Sequence, residues 1–240
     1  MSAHAADAAR LAPARDLRSK TRWLAALVIP IGPAAVALLR FVLPYFTAPD
    51  SKAIVKSVVT KPDSQSAVLW LGLLAMLTLI PGVIWVGRVT RHAAPRLTAA
   101  ALLLLVPGYI SLSGLLAGDL LLWIGAEQGV DQNVVAAMYE TAHPTTYIAM
   151  GIFVLGHVVG TILLGLAMWR SSRVPRWAAV ITVVSQPLHF AAAFFIGSPP
   201  LDLVAWGLNA AGFAAVSAAV IRMSDDQWDL PPAPVNEATP

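Results

Sequence analysis

Two histidines and two aspartates stand out because each lies within or at the edge of a long apolar run. His157 and His189 lie inside such runs, and Asp119 and Asp202 lie near their ends. Ionisable side chains in a membrane segment are costly and usually mark a functional site. A carboxylic acid beside an apolar, aromatic-walled cavity could protonate a substrate in a cyclase-like or isomerase-like reaction, so these four are the candidate catalytic residues. The commoner alternative is that both aspartates are held in water at the membrane interface.

Three further polar side chains in apolar runs are candidates for binding a substrate: Tyr109, Gln186 and Asn209. Tyr109 and His189 each follow a proline, Pro107 or Pro187, by two residues. A proline inside a helix frees the carbonyl four residues earlier, and that carbonyl needs another donor. The alternative interpretation is therefore structural, with these polar groups satisfying bent backbone and neighbouring helices. Bends are expected at both prolines and at Pro33, which stands at an equivalent position.

The signals for a metal or cofactor are weak. The chain has no cysteine, which excludes thiolate ligands and disulfides. Glu140 and His143 have the spacing of a ligand pair in a helical bundle, but they stand alone. His157 and His189 could hold a haem iron between facing helices. Counting from the helix ends, however, separates them by about 8 Å in depth, and we predict neither a metal nor a cofactor.

The elements that position these residues are transmembrane helices. Hydrophobic residues make up 58% of the 240, and charged residues only 12%, too few to cover a soluble surface. No basic patch with interleaved aromatic residues suggests a nucleic acid partner, and the expected environment is a lipid bilayer. Six segments are long and apolar enough to span it: 23–45, 67–87, 98–121, 144–169, 177–197 and 202–221. The predicted fold is an all-α, six-helix membrane protein.

The distribution of positive charge predicts the orientation. Of the 16 arginine and lysine residues, 12 lie in the N-terminal arm with Arg22, in the turns 88–97 and 170–176, and at Arg222. The positive-inside rule then places both termini in the cytoplasm of a bacterial inner-membrane protein. Residues 1–21 and 223–240 are interpreted as disordered cytoplasmic ends of a domain spanning 22–222.

An internal repeat organises the six segments. Pro62 and Arg88 recur 82 residues later as Pro144 and Arg170, and an 80-residue offset relates the next turn and its proline. This pattern predicts hairpins in the same orientation, at 22–88, 96–170 and 176–222. The outer loops are predicted to form short amphipathic surface helices that begin after Asp50 and Asp131.

The stretches Lys61-Pro-Asp-Ser-Gln-Ser-Ala-Val-Leu-Trp-Leu-Gly72 and Ser185-Gln-Pro-Leu-His-Phe190, together with the basic turns, carry a resemblance. Over nearly its whole length the chain resembles an uncharacterised group of six-helix bacterial membrane proteins, found mainly in high-GC actinobacterial genomes. The resemblance implies the fold and topology but no activity.

Three functional hypotheses follow. The first is an integral membrane protein that binds a lipid or apolar small molecule, alone or as an accessory to another protein. The second is a membrane-embedded enzyme of the cyclase or isomerase type, and the third is a transporter, for which no intramembrane charge outlines a path. Gly156 and Gly160 form a small-residue motif that could pair two copies, although packing within one protomer is favoured.

Overall fold

The computed structural model describes residues 16–229, and this part of the chain forms ten α-helices and one π-helical turn, with no strand. The α-helices are α1 (Arg18–Val28), α2 (Ile31–Val42), α3 (Ser51–Thr60), α4 (Pro62–Thr90), α5 (Pro95–Glu127), α6 (Gln132–Glu140), α7 (Pro144–Arg170), α8 (Arg176–Ala191), α9 (Pro199–Arg222) and α10 (Asp225–Trp228). The π-helical turn, Ala192–Ile196, extends α8. Six segments can cross a membrane, namely α1 with α2, α4, α5, α7, α8 with the π-helical turn, and α9. The predicted all-α, six-span fold is confirmed.

Local sequence chemistry explains where these helices begin. Proline is the first residue of four spans, where its missing N–H is unneeded and its fixed φ suits a helix: Pro62, Pro95, Pro144 and Pro199. The short helices α3 and α6 begin after aspartates that cap them, as predicted. Asp50 accepts a hydrogen bond from the Ala53 amide at 2.8 Å, and Asp131 accepts one from the Asn133 amide at 2.9 Å.

The six spans form a ring. Each span packs against the next in the sequence, and α9 returns to pack against α1 and α2. The turns 91–94 and 171–175 lie at one end of this ring, with Arg18 and Arg222. The opposite end, which we call the far end, carries α3 and α6. Val58 of α3 and Val135 of α6 belong to one apolar cluster there. The internal repeat stays a prediction.

The most extensive contact between spans in the described structure joins α5 and α7. A methyl group at Gly156 would lie 2.5 Å from the Leu104 carbonyl oxygen and 3.0 Å from the Gly108 Cα atom. One at Gly160 would lie 2.6 Å from Leu105. Both glycines of the small-residue motif therefore serve helix packing within the protomer, where a side chain would force the two backbones apart.

The prolines act differently from the expected pattern in the first span. The break lies between Val28 and Ile31, beside Pro30, rather than at Pro33. Pro33 is the third residue of α2, within the first turn, where proline is tolerated. Helices α5 and α8 continue through Pro107 and Pro187.

The two ends of the domain are more ordered than expected. Helix α1 already begins at Arg18, and α10 lies within the segment 223–240 that was interpreted as disordered. Trp228 of α10 is buried, because its ring lies under the Arg88 guanidinium at 4.8 Å and its Nε1 donates to Thr21 Oγ1 at 3.1 Å. The remaining residues assigned to disordered ends, 1–15 and 230–240, lie outside the described part of the chain.

Candidate functional site: a central cavity with a polar edge

A cavity of about 570 Å³ lies inside the ring, towards the far end. All six spans contribute to its wall, together with Tyr45 from the α2–α3 loop and Tyr139 from α6. Most of the wall is aliphatic or aromatic. The polar side chains on it are Arg40, Tyr45, Tyr109, Asp119, Tyr139, His157, His189 and Trp206. An apolar cavity with a few polar groups is the usual form of a small-molecule site, and this volume lies within the usual range.

A buried ionic cluster joins three spans beside the cavity. Asp202 of α9 is fully buried, and its two carboxylate oxygens have different partners. Oδ1 lies 2.5 Å from His189 Nδ1 on α8, and Oδ2 lies 2.6 Å from Arg40 Nε on α2. The Arg40 guanidinium also lies 4.5 Å from the centre of the Phe46 ring. Asp202 is thus buried within the protein, and the alternative interpretation that it is held in interfacial water does not describe it.

His157 of α7 stands next to this cluster. Its ring centre lies 5.4 Å from that of His189 and 5.9 Å from that of Trp206, and Phe153 stacks on it at 4.4 Å. His157 Nδ1 donates to the Phe153 carbonyl oxygen at 2.6 Å. Its Nε2 is buried and has no hydrogen-bond partner among the described residues.

The expected difference in depth between the two histidines is therefore wrong. Helix α7 extends to Arg170 and α8 begins at Arg176, so His157 and His189 are each thirteen residues from the turn that connects the helices. The prediction measures the depth of each histidine from the start of its own span, and these two starts lie on opposite sides of the membrane. It also assumes that each span is as long as the bilayer is thick. Helix α7 has 27 residues, about 40 Å, and is longer than that thickness.

Asp119 of α5 forms a second polar group on the wall. Its Oδ1 accepts hydrogen bonds from the Tyr45 hydroxyl and from Gln65 Nε2, the latter at 3.0 Å. The same Gln65 nitrogen lies 3.1 Å from the Asp119 carbonyl oxygen. Asp119 is only 8% exposed, so it too is not the interfacial, water-held acid of the alternative interpretation.

The pKa values of two tyrosines outside the spans are raised in part by the Asp119 carboxylate. Burial, and then the nearby Asp119 carboxylate, raise the pKa of Tyr45 well above its ordinary value. The same two causes raise the pKa of Tyr139. Both phenols are therefore kept protonated, and Tyr45 remains a hydrogen-bond donor to Asp119.

The candidate residues separate into two groups. Asp119, His157, His189 and Tyr109 line the cavity, and Asp202 lies directly behind His189. Gln186 and Asn209 do not line it, although both are fully buried. Gln186 Nε2 lies 3.4 Å from Ser185 Oγ, and neither amide atom of Asn209 has a partner in the described structure.

Five residues of the site were missed as chemical candidates: Arg40, Tyr45, Gln65, Tyr139 and Trp206. Arg40 is the one arginine of the sequence outside the N-terminal arm, the two basic turns and Arg222. Its position inside the apolar run that ends at Leu43 is the signal that could have identified it. Tyr45 lies in the α2–α3 loop and Gln65 in the first turn of α4, and no local pattern connects either of them with Asp119.

Comparison with known proteins identifies the family without an activity. The model of the family described as a domain of unknown function, DUF4386, matches residues 22–223. No curated protein and no solved structure matches the chain. The match covers every residue of the cavity wall and all of the six spans except the first four residues of α1, and the chain belongs to the DUF4386 family.

Proposed function

We propose that this protein binds an apolar small molecule or a lipid chain in the central cavity. The observation that carries the proposal is a mainly apolar space of about 570 Å³ lined by all six spans. Large side chains border it without filling it, among them Leu112, Phe153 and Trp206. Protein interiors are normally packed with few voids larger than a water molecule, and an apolar space of this size is suited to an apolar occupant.

The bilayer is the proposed source of this ligand. Three residues of the cavity wall are exposed side chains: Phe194 is 60% exposed, Met150 39% and Phe190 36%. Met150 belongs to α7, whereas Phe190 and Phe194 belong to α8 and its π-helical turn. We therefore place the entry of a ligand from the bilayer at this part of the wall, between α7 and α8. A π-helical turn often accompanies a functional site, and here it carries Phe194.

The enzyme hypothesis requires an acid that can reach a substrate. Asp202 is fully buried between Arg40 and His189, which leaves Asp119 as the one candidate carboxylate on the described cavity wall. Oδ1 of Asp119 already accepts two hydrogen bonds, from Tyr45 and Gln65. Binding accounts for the cavity without requiring a free acid, so binding is the function we propose.

A photoreactive dodecane, with a diazirine in its chain, tests the proposal in proteoliposomes. Labelled residues are mapped by peptide mass spectrometry. We expect saturable labelling of Leu112 and Leu116, which line the cavity from α5. Val154→Phe should reduce this labelling because residue 154 lies on the cavity wall. Leu155→Phe is the matched control, since Leu155 is the next residue on α7 and is 59% exposed on the outside.

The opposite result is equally clear. Labelling confined to outward-facing residues such as Leu155, and unchanged by Val154→Phe, would show that the probe only dissolves in the surrounding lipid. That outcome would refute the proposed binding function.

We further propose that the protein lies in a bacterial inner membrane with both termini in the cytoplasm. The support is the charge distribution. Among the described residues, the end of the ring with Arg22, Arg88, Arg170 and Arg176 carries most of the arginines, whereas the far end carries Arg40 and three lysines.

A further inference from the structure

We infer that the ligand of the central cavity carries an ammonium group, which binds the carboxylate of Asp119. This inference rests on the proposed binding function and specifies the chemical class of the ligand. It starts from one oxygen on the cavity wall, Asp119 Oδ2. The other oxygen, Oδ1, is occupied by the Tyr45 hydroxyl and by Gln65 Nε2, whereas Oδ2 accepts no hydrogen bond from a described residue.

Asp119 Oδ2 is within reach of a molecule in the cavity. Asp119 is 8% exposed and lines the cavity, and Oδ2 is open to a molecule the size of water. Three other wall atoms without a partner in the described structure are closed to such a molecule: the Tyr109 hydroxyl, His157 Nε2 and Trp206 Nε1. A ligand therefore meets Oδ2 before any of these three atoms.

The Asp119 carboxylate has no cationic partner, because it forms no salt bridge with a described residue. Arg40 is the one arginine or lysine on the described wall, and its Nε lies 2.6 Å from one Asp202 oxygen. His189 Nδ1 lies 2.5 Å from the other Asp202 oxygen. Both basic side chains thus serve Asp202. A buried carboxylate without a counter-charge is costly, and a cation supplied by a ligand would remove that cost.

Two tyrosine rings border the same part of the cavity. Tyr45 contacts Asp119 through its hydroxyl, and Tyr139 lies close enough for the carboxylate to raise the pKa of its phenol. Both side chains line the cavity. Aromatic rings attract ammonium groups, and proteins use them to recognise alkylated ammonium ligands. This part of the wall therefore offers a cation both a counter-charge and aromatic rings.

Other head groups fit less well. A carboxylate or phosphate would be repelled by Asp119, and the one arginine of the wall is already paired with Asp202. A hydroxyl group can donate to Oδ2 but leaves the carboxylate without a counter-charge, and a ketone has no donor. The ligand class that matches the wall is an amphiphilic amine, with its ammonium group at Asp119 and its hydrocarbon body in the rest of the cavity.

Competition against the photoreactive dodecane tests the head group. The vesicles are made of phosphatidylglycerol, a lipid without an amine. Unlabelled dodecylamine, dodecane, 1-dodecanol and dodecanoic acid are compared at equal concentration in the membrane, and the readout is the loss of labelling at Leu112 and Leu116. We expect dodecylamine to compete about tenfold better than dodecane, the gain from a hydrogen bond between charged groups, and better than the other two.

Variants assign this preference to Asp119. Asp119→Asn removes the charge and keeps an oxygen that can accept from Tyr45 and Gln65. It should reduce the ratio of dodecylamine to dodecane potency towards one, while the photoreactive dodecane still labels the cavity. Asp119→Glu keeps the charge and should keep a ratio above one. Asp63→Asn is the matched control, because Asp63 is exposed at the start of α4 and lies outside the cavity, so the ratio should stay at the wild-type value.

Phosphatidylethanolamine in the vesicles distinguishes two sources of the amine. If it lowers the labelling of Leu112 and Leu116 in the wild type but not in Asp119→Asn, the ligand is a lipid with an ammonium head group. If it leaves the labelling unchanged while dodecylamine competes, the ligand is a free single-chain amine. Either result supports an ammonium site at Asp119.

Failure of this inference differs from failure of the binding function. If dodecylamine competes no better than dodecane or 1-dodecanol in the wild type, a proton or a water satisfies Asp119 and the ammonium assignment is wrong. This comparison needs no variant and stands even if Asp119→Asn does not fold. A preference for dodecylamine that survives in folded Asp119→Asn, or stronger competition by dodecanoic acid, would also overturn the assignment. If the photoreactive dodecane does not label the cavity at all, the binding function itself is refuted.

Discussion

Arg40 and Asp202 form an ion pair between the first and the last span, with 2.6 Å between Arg40 Nε and Asp202 Oδ2. The Asp202 side chain is fully buried, and that of Arg40 is 25% exposed. The pair links the two spans that close the ring. Because His189 occupies the other carboxylate oxygen, the same aspartate also attaches α8 to this closure.

Removing the charge of Asp202 should destabilise the protein strongly. Asp202→Asn retains the side-chain shape but leaves Arg40 without its counter-charge, which we expect to lower the free energy of unfolding by about 3–5 kcal/mol. Asp63→Asn is the control, because Asp63 is exposed at the start of α4. Denaturant unfolding of the purified protein in detergent measures the difference. Equal effects of the two changes would contradict a structural role for the pair.

The double variant Arg40→Met/Asp202→Leu separates the pair from the burial of a lone charge. Replacing a buried ion pair by apolar residues is often neutral or stabilising. We therefore expect the double variant to recover most of the stability lost in Asp202→Asn. A double variant as unstable as the single one would show that the aspartate acts mainly through His189.

The spans could be predicted from the sequence, because the length and apolar character of a membrane helix are local properties. The helix starts after Asp50 and Asp131 could also be predicted, because the capping side chain is next in sequence to the helix that it caps. The Arg40–Asp202 ion pair could not be predicted from the sequence, since the two residues are 162 positions apart. No local sequence pattern indicates which charged residue of one span pairs with a charged residue of another.

The histidine pair shows a different limit of sequence reasoning. His157 and His189 were correctly singled out as polar residues in apolar segments, but counting inward from opposite ends of the spans separated them. The ring centres are 5.4 Å apart because both positions are set by the turn between α7 and α8. Likewise, Trp228 was assigned to a disordered tail by composition, whereas contacts with Arg88 and Thr21 on distant helices order it.

A methyl group at Gly156 should destabilise the α5–α7 contact. The added Cβ of Gly156→Ala would lie 2.5 Å from the Leu104 carbonyl oxygen, so the helices must shift, at a cost of about 1–3 kcal/mol. Gly151→Ala on the same helix is the control. A Cβ there meets no atom within 4 Å, and the change should stabilise the helix by about 0.5–1 kcal/mol. Unfolding in detergent tests this difference in sign, and destabilisation by Gly151→Ala of the same size would contradict it.

Reporter fusions should place the C-terminus and the loop near Val130 on opposite sides of the membrane. A reporter that is active only in the cytoplasm should work when fused after Pro240. One that is active only outside the cytoplasm should work after Val130, between α5 and α6. The reason is the excess of positive charge at the end of the ring that carries Arg222. An external C-terminus would refute the proposed orientation.

Tyr45→Phe should change how stability depends on pH. Tyr45 donates to Asp119, so its removal should lower the free energy of unfolding at pH 7 by about 1–3 kcal/mol. In the folded wild type, burial and the Asp119 charge raise the pKa of Tyr45 well above the ordinary 10.0. The unfolded chain therefore loses this proton near pH 10, while the folded protein keeps it.

This difference defines the sign of the pH effect. Above pH 10 the folded state binds more protons than the unfolded state, so the stability contributed by Tyr45 declines as pH rises towards its folded pKa. One retained proton corresponds to a slope of at most about 1.4 kcal/mol per pH unit. Wild-type stability should thus fall more steeply than that of Tyr45→Phe between pH 10 and 11, as measured by unfolding at a series of pH values.

Tyr147→Phe, which removes a phenol that is 65% exposed, is the matched control and should keep the wild-type slope. If Tyr45→Phe also keeps that slope, the Tyr45 phenol does not hold its proton against Asp119 in the folded protein.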